Sequence, residues 1–495
     1  MSFTRRGLME TGGLGAALIA MGGACSRSDQ AASNDLAALD GVETAARIKS
    51  GDLSAKEAVD AAIERAERIN PQINAIAKKT FQRARKEAGN TTGPWAGVPT
   101  FVKDLDDVTG VETGFGSRGF PGYRGKEQTP LTNAFLGLGV VSLGKSTTPE
   151  FGLSATTEPL STGKTRNPWN TDYSTGGSSG GAAALVASGV VPIAHASDGG
   201  GSIRIPASCC GNVGMKVSRG RNPTARPDAA VGPISLSVHG VQTRTVRDTA
   251  AVLAAIARPQ SESGLTPLGL VSAPREKRLR IGVTTMGLGG LSPDADVEEA
   301  TMSVAAQCAD LGHMVEEVTL PIADGLDLDF RLYWAAFANS AVGFWESATH
   351  LPRNGMAFEP FTLGLASYYE EHQGEFGAAV ARLQGVAADM DKVHENYDLV
   401  LSPVVTTPPP QIGYLDGGHD FETLMQRLTD YVQYTALYNI TGAPAISLPL
   451  TMSKAGLPIG AMFGAQLGQE ETLLGLAYEL EEARPWRDRR PALFG

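Results

Sequence analysis

The sequence predicts an α/β protein, a mostly parallel sheet with helices packed on it. Three observations carry that prediction. Leu279–Val283, Val297–Gly312 and Met314–Leu320 read in turn as strand, helix and strand, the rhythm of a parallel β-α-β unit. The 495 residues are enough for one large domain or two fused ones of roughly 200 residues each. Glycine is abundant, 59 residues or about 12% against a usual share of roughly 7%, and has no G-X-Y period, so it points to tight turns and close backbone approaches. Apolar residues at 42% and charged residues at 19% fit a globular chain and exclude a wholly disordered or collagen-like one. With 53 acidic against 42 basic residues and a net charge of −11, no basic excess is available to neutralise nucleic-acid phosphates. Four cysteines in this length cannot make a disulfide scaffold.

In chain order, residues 1–30 read as an export signal and 31–495 as one folded domain. Arg5-Arg6 precedes a small, weakly apolar run, Gly12–Ala24, and then Cys25, which together suggest the twin-arginine route. Cys25 is a candidate lipid-attachment site, although Gly22 stands where a lipobox prefers Leu. That run is too short and glycine-rich to span a membrane, and no other stretch is long and apolar enough. The expected location is therefore the periplasm or a membrane to which lipid anchors the chain, and the cytoplasm if residues 1–30 are not a signal. Ser54-Ala-Lys-Glu57 is a capping box, and Val59, Ala62, Ile63, Ala66 and Ile69 follow at helical spacing. Asn70-Pro71 should end that helix, with Ile73–Ala88 forming a second. From Trp95 to Arg258 short β-branched runs alternate with Gly, Ser, Thr and Pro, as in Gly97–Lys103 and Val140–Leu143. Pro259–Lys277 reads as a polar, turn-rich linker, Ala445–Leu450 as a strand, and Glu471–Glu482 as a helix.

Two small-residue loops carry the chemistry. Gly176-Gly-Ser-Ser-Gly-Gly181 abuts the apolar Ala182–Ala187, and Asp198-Gly-Gly-Gly-Ser202 runs into Ile203-Arg204-Ile205-Pro206. Apolar Val190–Ala194 lies between them, so these are interior loops and not linkers. Consecutive glycines let a backbone approach a ligand and turn several N–H groups to one point, the geometry that holds an oxyanion. Two rival patterns fail on context. Gly176–Gly180 fits G-x-S-x-G, but the polar Asn167–Thr175 precedes it where a nucleophile elbow needs an apolar strand. Gly139–Ser146 fits a P-loop, but its variable positions Val140, Val141, Ser142 and Leu143 favour a strand. None of the seven histidines has metal-ligand spacing, so neither a metal nor a cofactor is expected, and His195 and Cys209-Cys210 read as structural. Without a histidine base, a serine nucleophile can use a buried lysine, because desolvation favours the neutral amine.

Lys103-Asp104 after an apolar run and the two glycine loops resemble the amidase signature family. So do Gly144–Phe151, Thr165–Asn170, Gly211–Lys216, Asn439–Ser447 and Gly456–Gly460. Thr156–Pro159, Lys216–Arg221, Pro485-Trp486 and Arg489–Pro491 are most similar to the 6-aminohexanoate cyclic-dimer hydrolase-like members. The resemblance implies the amidase-signature fold, a mixed, mostly parallel central sheet covered by helices on both faces. It implies hydrolysis of linear or cyclic amides of small-molecule substrates through a Ser-Ser-Lys triad, with an acyl-enzyme intermediate. Ser202 would be the nucleophile, Ser178 the bridging serine on a cis peptide bond, and Lys103 the base. Backbone N–H groups of Gly199, Gly200, Gly201 and Ser202 would hold the oxyanion, with Ser179, Asp198 and Arg204 supporting the loops. Carbamates, anilides or esters could be cleaved by the same site. An amidotransferase A-subunit-like glutaminase is disfavoured by the export signal. The chain departs from the family at Val217-Ser218, where Pro-Thr is common, and at Gly199, where Ile or Ala is common, which predicts a looser oxyanion loop. Trp334, Phe337, Phe344 and Trp345 could form an aromatic wall for the acyl group or could simply be helix core.

Overall fold

The computed structural model describes residues 35–224 and 231–495. The expected export signal, including Cys25, lies outside them. No helix among the described residues is long and apolar enough to cross a membrane.

After a first helix over Gly41–Ser50, helix α1 (Ala55–Ile73) begins at a capping box formed as expected between Ser54 and Glu57. It runs through Pro71 and stops at Asn74, which adopts a left-handed φ of 49° and donates its N–H to Asn70 O. The expected stop at Asn70-Pro71 is therefore three residues early. A proline in the last turn sacrifices few helical bonds, and the Asn70 side chain accepts the N–H groups of Ala75 and Ile76 that follow. The expected second helix over Ile73–Ala88 divides into strand β1 (Ile76–Lys79) and helix α2 (Phe81–Glu87). An edge of strand β3 (Val141–Ser146) is open there, and β1 pairs with it antiparallel. Strand β2 (Pro99–Lys103) joins the other edge of β3 in parallel, completing a three-stranded sheet.

The main sheet has eight strands, in the order β4 (Ile193–Asp198), β6 (Val238–Thr243), β5 (Val213–Lys216), β10 (Ala445–Met452), β11 (Pro458–Ala465), β9 (Leu399–Pro403), β7 (Arg280–Val283) and β8 (Met314–Glu317). It is mixed, as expected, but not mostly parallel. Only β9, β7 and β8 run parallel, and every other neighbouring pair is antiparallel. The β-α-β unit read from the sequence is real. Its helix, α5 (Ala295–Asp310), connects β7 to β8. The remaining strands pair through return connections such as the tight turn between β10 and β11, where Gly456 takes a φ of +75°.

Strand alternation divides the core between the two faces. Leu399, Leu401, Ile446, Leu448, Ala461 and Phe463 point into one cluster, with helix residues such as Leu253, Val304 and Leu473. Their neighbours Val400, Ala445 and Met462 point into the other, with Ile205, Tyr333 and Leu383. Helices therefore cover both faces of the sheet. The small sheet docks on the first strand of the large one, where Thr100 Oγ1 donates to Ile193 O at 3.0 Å. That contact brings the C-terminal end of β2 beside β4, and the site lies where they meet.

Candidate active site

Lys103 is the last residue of β2 and its side chain is fully buried. Its amine lies 2.7 Å from Ser178 Oγ and 3.0 Å from Ser197 Oγ. Ser197 comes from β4, two residues after His195, so strand alternation turns both toward Lys103. Burial is the largest influence on the Lys103 amine, pushing it down to about 7 against the weaker opposing pull of Asp106 and Asp198. Burial thus brings the neutral amine, set against a serine hydroxyl, within reach of neutral pH.

Ser178 follows a cis peptide bond with Gly177. A side chain at Gly177 would press on the backbone of Thr156, with its Cβ 2.4 Å from the carbonyl oxygen. Ser179 begins the turn into helix α3 (Gly180–Ala187), and its N–H donates to Ser202 O at 3.3 Å. The Ser179 hydroxyl donates to Ser197 O at 3.1 Å and accepts the Ser197 N–H at 3.3 Å. Ser179 therefore fastens the first glycine loop to both β4 and the second loop.

The second loop is shaped by Asp198. Its carboxylate accepts the N–H groups of Gly201 and Ile203, two bonds of 2.9 Å from the Arg204 guanidinium, and one of 2.9 Å from Asn439 Nδ2. Burial pushes the Asp198 carboxyl up, but Arg204 and Asn439 outweigh it and hold it well below the carboxylate range. Arg204 opens helix α4 (Arg204–Cys210) and reaches Asn439 Oδ1 at 2.7 Å as well. The expected looseness at Gly199 is absent. Besides the carboxylate bonds, Thr435 Oγ1 donates to Gly200 O at 2.6 Å. A Cβ on Gly199 would lie 3.1 Å from Ser237 Oγ, leaving little slack there. Gly201 needs its glycine, with φ at +136° and Thr435 Oγ1 only 2.3 Å from where a Cβ would be.

One of the four expected oxyanion donors is turned away. The Gly201 N–H is given to Asp198 Oδ1 at 2.8 Å. Gly199, Gly200 and Ser202 keep N–H groups with no acceptor among the described residues. Ser178, Ser197, Gly199 and Ser202 line one cavity with Leu105, Phe151, Gly152, Leu153, Trp334 and Phe337. An adjoining cavity shares Gly152, Leu153, Ser202 and Trp334, and its remaining wall is mainly apolar, including Ile205, Phe330, Phe361, Met425 and Val432.

Of the aromatic residues read from the sequence, Trp334 and Phe337 reach the cavity from helix α6 (Leu326–Thr349). Phe344 and Trp345 do not. They belong to a separate surface hollow with Phe120 and Tyr123, because they stand about three turns, roughly 15 Å, further along the helix than Trp334. Lys145 of the false P-loop is buried in β3 and donates to Asp106 O and Thr113 Oγ1. His195 plays the structural part expected of it, its Nδ1 accepting the Lys103 backbone N–H at 3.3 Å. Sequence reading missed Ser197, Asn439 as the anchor of Asp198, and Thr435. The alternation of His195 and Ser197 on one strand face was the available signal for Ser197. It also missed that Asp106, His195 and His239 converge, since residues from three separate segments leave no metal-like spacing.

The family model described as Amidase matches residues 57–474. A putative amidase, AmiC, from Mycobacterium tuberculosis (strain ATCC 25618 / H37Rv) is 44% identical over 453 residues, covering 90% of this chain and 95% of its own. The 6-aminohexanoate-cyclic-dimer hydrolase of Paenarthrobacter ureafaciens is 35% identical over 489 residues, with 92% and 97% covered. A solved structure of 6-aminohexanoate cyclic dimer hydrolase complexed with substrate superposes with a TM-score of 0.83 at 32% identity, covering 93% of this chain and 100% of that one. The chain belongs to the amidase signature family and is an amide hydrolase acting on carbon–nitrogen bonds other than peptide bonds.

Proposed function

We propose that the protein cleaves linear or cyclic amides with an apolar acyl part, through Ser202, Ser178 and Lys103. The observation that carries this reading is the buried Lys103 amine 2.7 Å from Ser178 Oγ, with Ser178 and Ser202 facing one cavity. The neutral amine takes the Ser178 hydroxyl proton while Ser178 takes that of Ser202, and Ser202 Oγ attacks the amide carbon. Negative charge moves to the carbonyl oxygen, where the N–H groups of Gly199, Gly200 and Ser202 receive it. Each such donor contributes about 10²–10³ in rate. As the C–N bond breaks, the proton held on Lys103 returns through Ser178 to the leaving nitrogen. Water then enters, gives its proton along the same path and attacks the Ser202 ester, which releases the acid and restores the triad. The apolar wall around Trp334 and Phe330 favours acyl groups without charge near the reacting carbon.

A serine-directed fluorophosphonate, followed by peptide mapping, is expected to label Ser202. Exclusive labelling of Ser178 would overturn the assignment. Lys103→Ala is expected to abolish turnover on a panel of aliphatic amides, cyclic amides, anilides and carbamates, and retained turnover would remove the proposed base.

A further inference from the structure

Beside Lys103, outside the lining of the cavity, three buried side chains meet that the proposed reaction does not use. Asp106 Oδ2 lies 3.9 Å from His195 Nε2 and 3.9 Å from His239 Nδ1, and the two imidazoles stack with centroids 5.6 Å apart. Neither Asp106 oxygen accepts a hydrogen bond from any donor among the described residues, and His195 Nε2 likewise has no partner within hydrogen-bond range. A metal site is the obvious reading, and two facts oppose it. Tetrahedral zinc with bonds of about 2.0–2.1 Å would draw its ligand atoms to roughly 3.3 Å apart, closer than these are. His195 Nδ1 accepts the Lys103 N–H, so a neutral ring carries its proton on Nε2, the atom that would have to bind the ion.

We propose that Asp106, acting through His195, is a positioning residue for Lys103. The carboxylate lies 3.9 Å from His195 Nε2, where its charge favours the Nε2–H form of the ring, the imidazole's Nδ1 holds the Lys103 backbone, and the buried negative charge favours the protonated amine. This rests on the triad reading above. The other charged groups nearby are accounted for. Asp198 on β4 is matched by Arg204, and Lys145 on β3 pairs with Asp104 at 3.4 Å and donates to the Asp106 carbonyl. His195 and His239 come from β4 and β6, and burial pushes His195 down to about 3, so it is neutral throughout the working range. Asp106, unlike Asp198, has no arginine paired with it among the described residues. Burial pushes it up, but the imidazoles and Lys145 bring it below the ordinary carboxylate range.

The test is the pH dependence of kcat/KM. Asp106→Asn removes a negative charge that favours the protonated amine, so the acidic limb should move down by roughly one pH unit. Near pH 6, activity relative to its own plateau should then rise about fivefold. A limb that stays in place or moves up overturns the proposal. If that variant fails to fold, the wild-type chain with ¹⁵N-labelled histidine supplies the second measurement. His195 should appear as a neutral Nε2–H ring from pH 5 to 8 and be unchanged by a chelator. An Nδ1–H ring, or one that a chelator alters, would overturn it. Turnover by Lys103→Ala would sink the triad reading, whereas an inactive Lys103→Ala beside an unshifted Asp106→Asn would sink this inference alone.

Discussion

In the proposed mechanism the acidic limb of the wild-type rate is set by the Lys103 amine, and the expected position of that limb follows from its burial. A solvent-exposed lysine at its ordinary 10.5 would be neutral in about one molecule in 3,000 at pH 7. Lys103, brought to about 7 by burial, is neutral in about half. The base must be deprotonated, so activity is present above this value and is lost as pH falls through it. With a single ionisation, about one molecule in eleven is competent at pH 6 and about ten in eleven at pH 8. The assay is kcat/KM for an amide that does not titrate between pH 5 and 9, with folding monitored at each point by intrinsic fluorescence. The expected record is a plateau above about pH 8 and a tenfold fall per unit below about pH 6. A flat profile down to pH 5 would mean that no group titrating near 7 takes the proton. A limb centred near 10 would mean that the amine is not desolvated in the working enzyme. Either result would refute the reasoning, because both contradict a base made by burial.

Two further outcomes follow from the loop and the cavity. Asp198→Asn leaves the fully buried Arg204 guanidinium without a charged partner, a change that costs about 3–5 kcal/mol, and it weakens the bonds to Gly201 and Ile203. Chemical denaturation should report a loss of that size and turnover should nearly vanish, whereas unchanged stability would show that the carboxylate does not organise the loop. Trp334→Ala removes an aromatic wall shared by both cavities. It should shift the ratio of kcat/KM between bulky and small acyl groups by about tenfold toward the bulky one, and an unaltered ratio would place the acyl group elsewhere.

The sequence revealed most where local chemistry dictates local structure. Ser54 and Glu57 cap α1 whatever surrounds them, and Ala295–Asp310 between two apolar runs can hardly be anything but a crossover helix. The glycine loops were legible because few side chains would fit, as Gly177 against Thr156 and Gly201 against Thr435 illustrate. What could not be read depends on partners distant in the chain. Ile76–Lys79 becomes a strand because β3 presents an edge, and nothing within 73–88 records that edge. The direction of β5, β6, β10 and β11 is settled by how the connections return, so extrapolating from one parallel unit overstated the parallel share. The Gly201 N–H was credited to the oxyanion loop because four consecutive N–H groups look equivalent in a sequence. The competing acceptor is the side chain of Asp198, three residues earlier, and only the turn geometry brings it there.

Burial disfavours both of the charges that frame this site, and their partners decide the opposite outcomes. Asp198 is enclosed with a guanidinium that meets both its oxygens at 2.9 Å, so its charge is kept and serves as a strut for the loop. Lys103 is enclosed with hydroxyls as its nearest partners, so its charge is disfavoured, as the proposed role of base requires. Burial alone does not select the base, because Lys145 and Lys216 are also fully buried and are also pushed down by desolvation. Lys216 donates to the carbonyls of Val217 and Ala443, and Lys145 to the Asp106 carbonyl and the Thr113 hydroxyl beside the Asp104 carboxylate. A carbonyl can receive a hydrogen bond but has no proton to surrender, and a nearby carboxylate favours keeping the ammonium charged. Ser178 can both give a proton and take one, and it faces the cavity that Ser202 also lines. Of the three buried amines, Lys103 is the one placed to pass a proton to something that can pass it on.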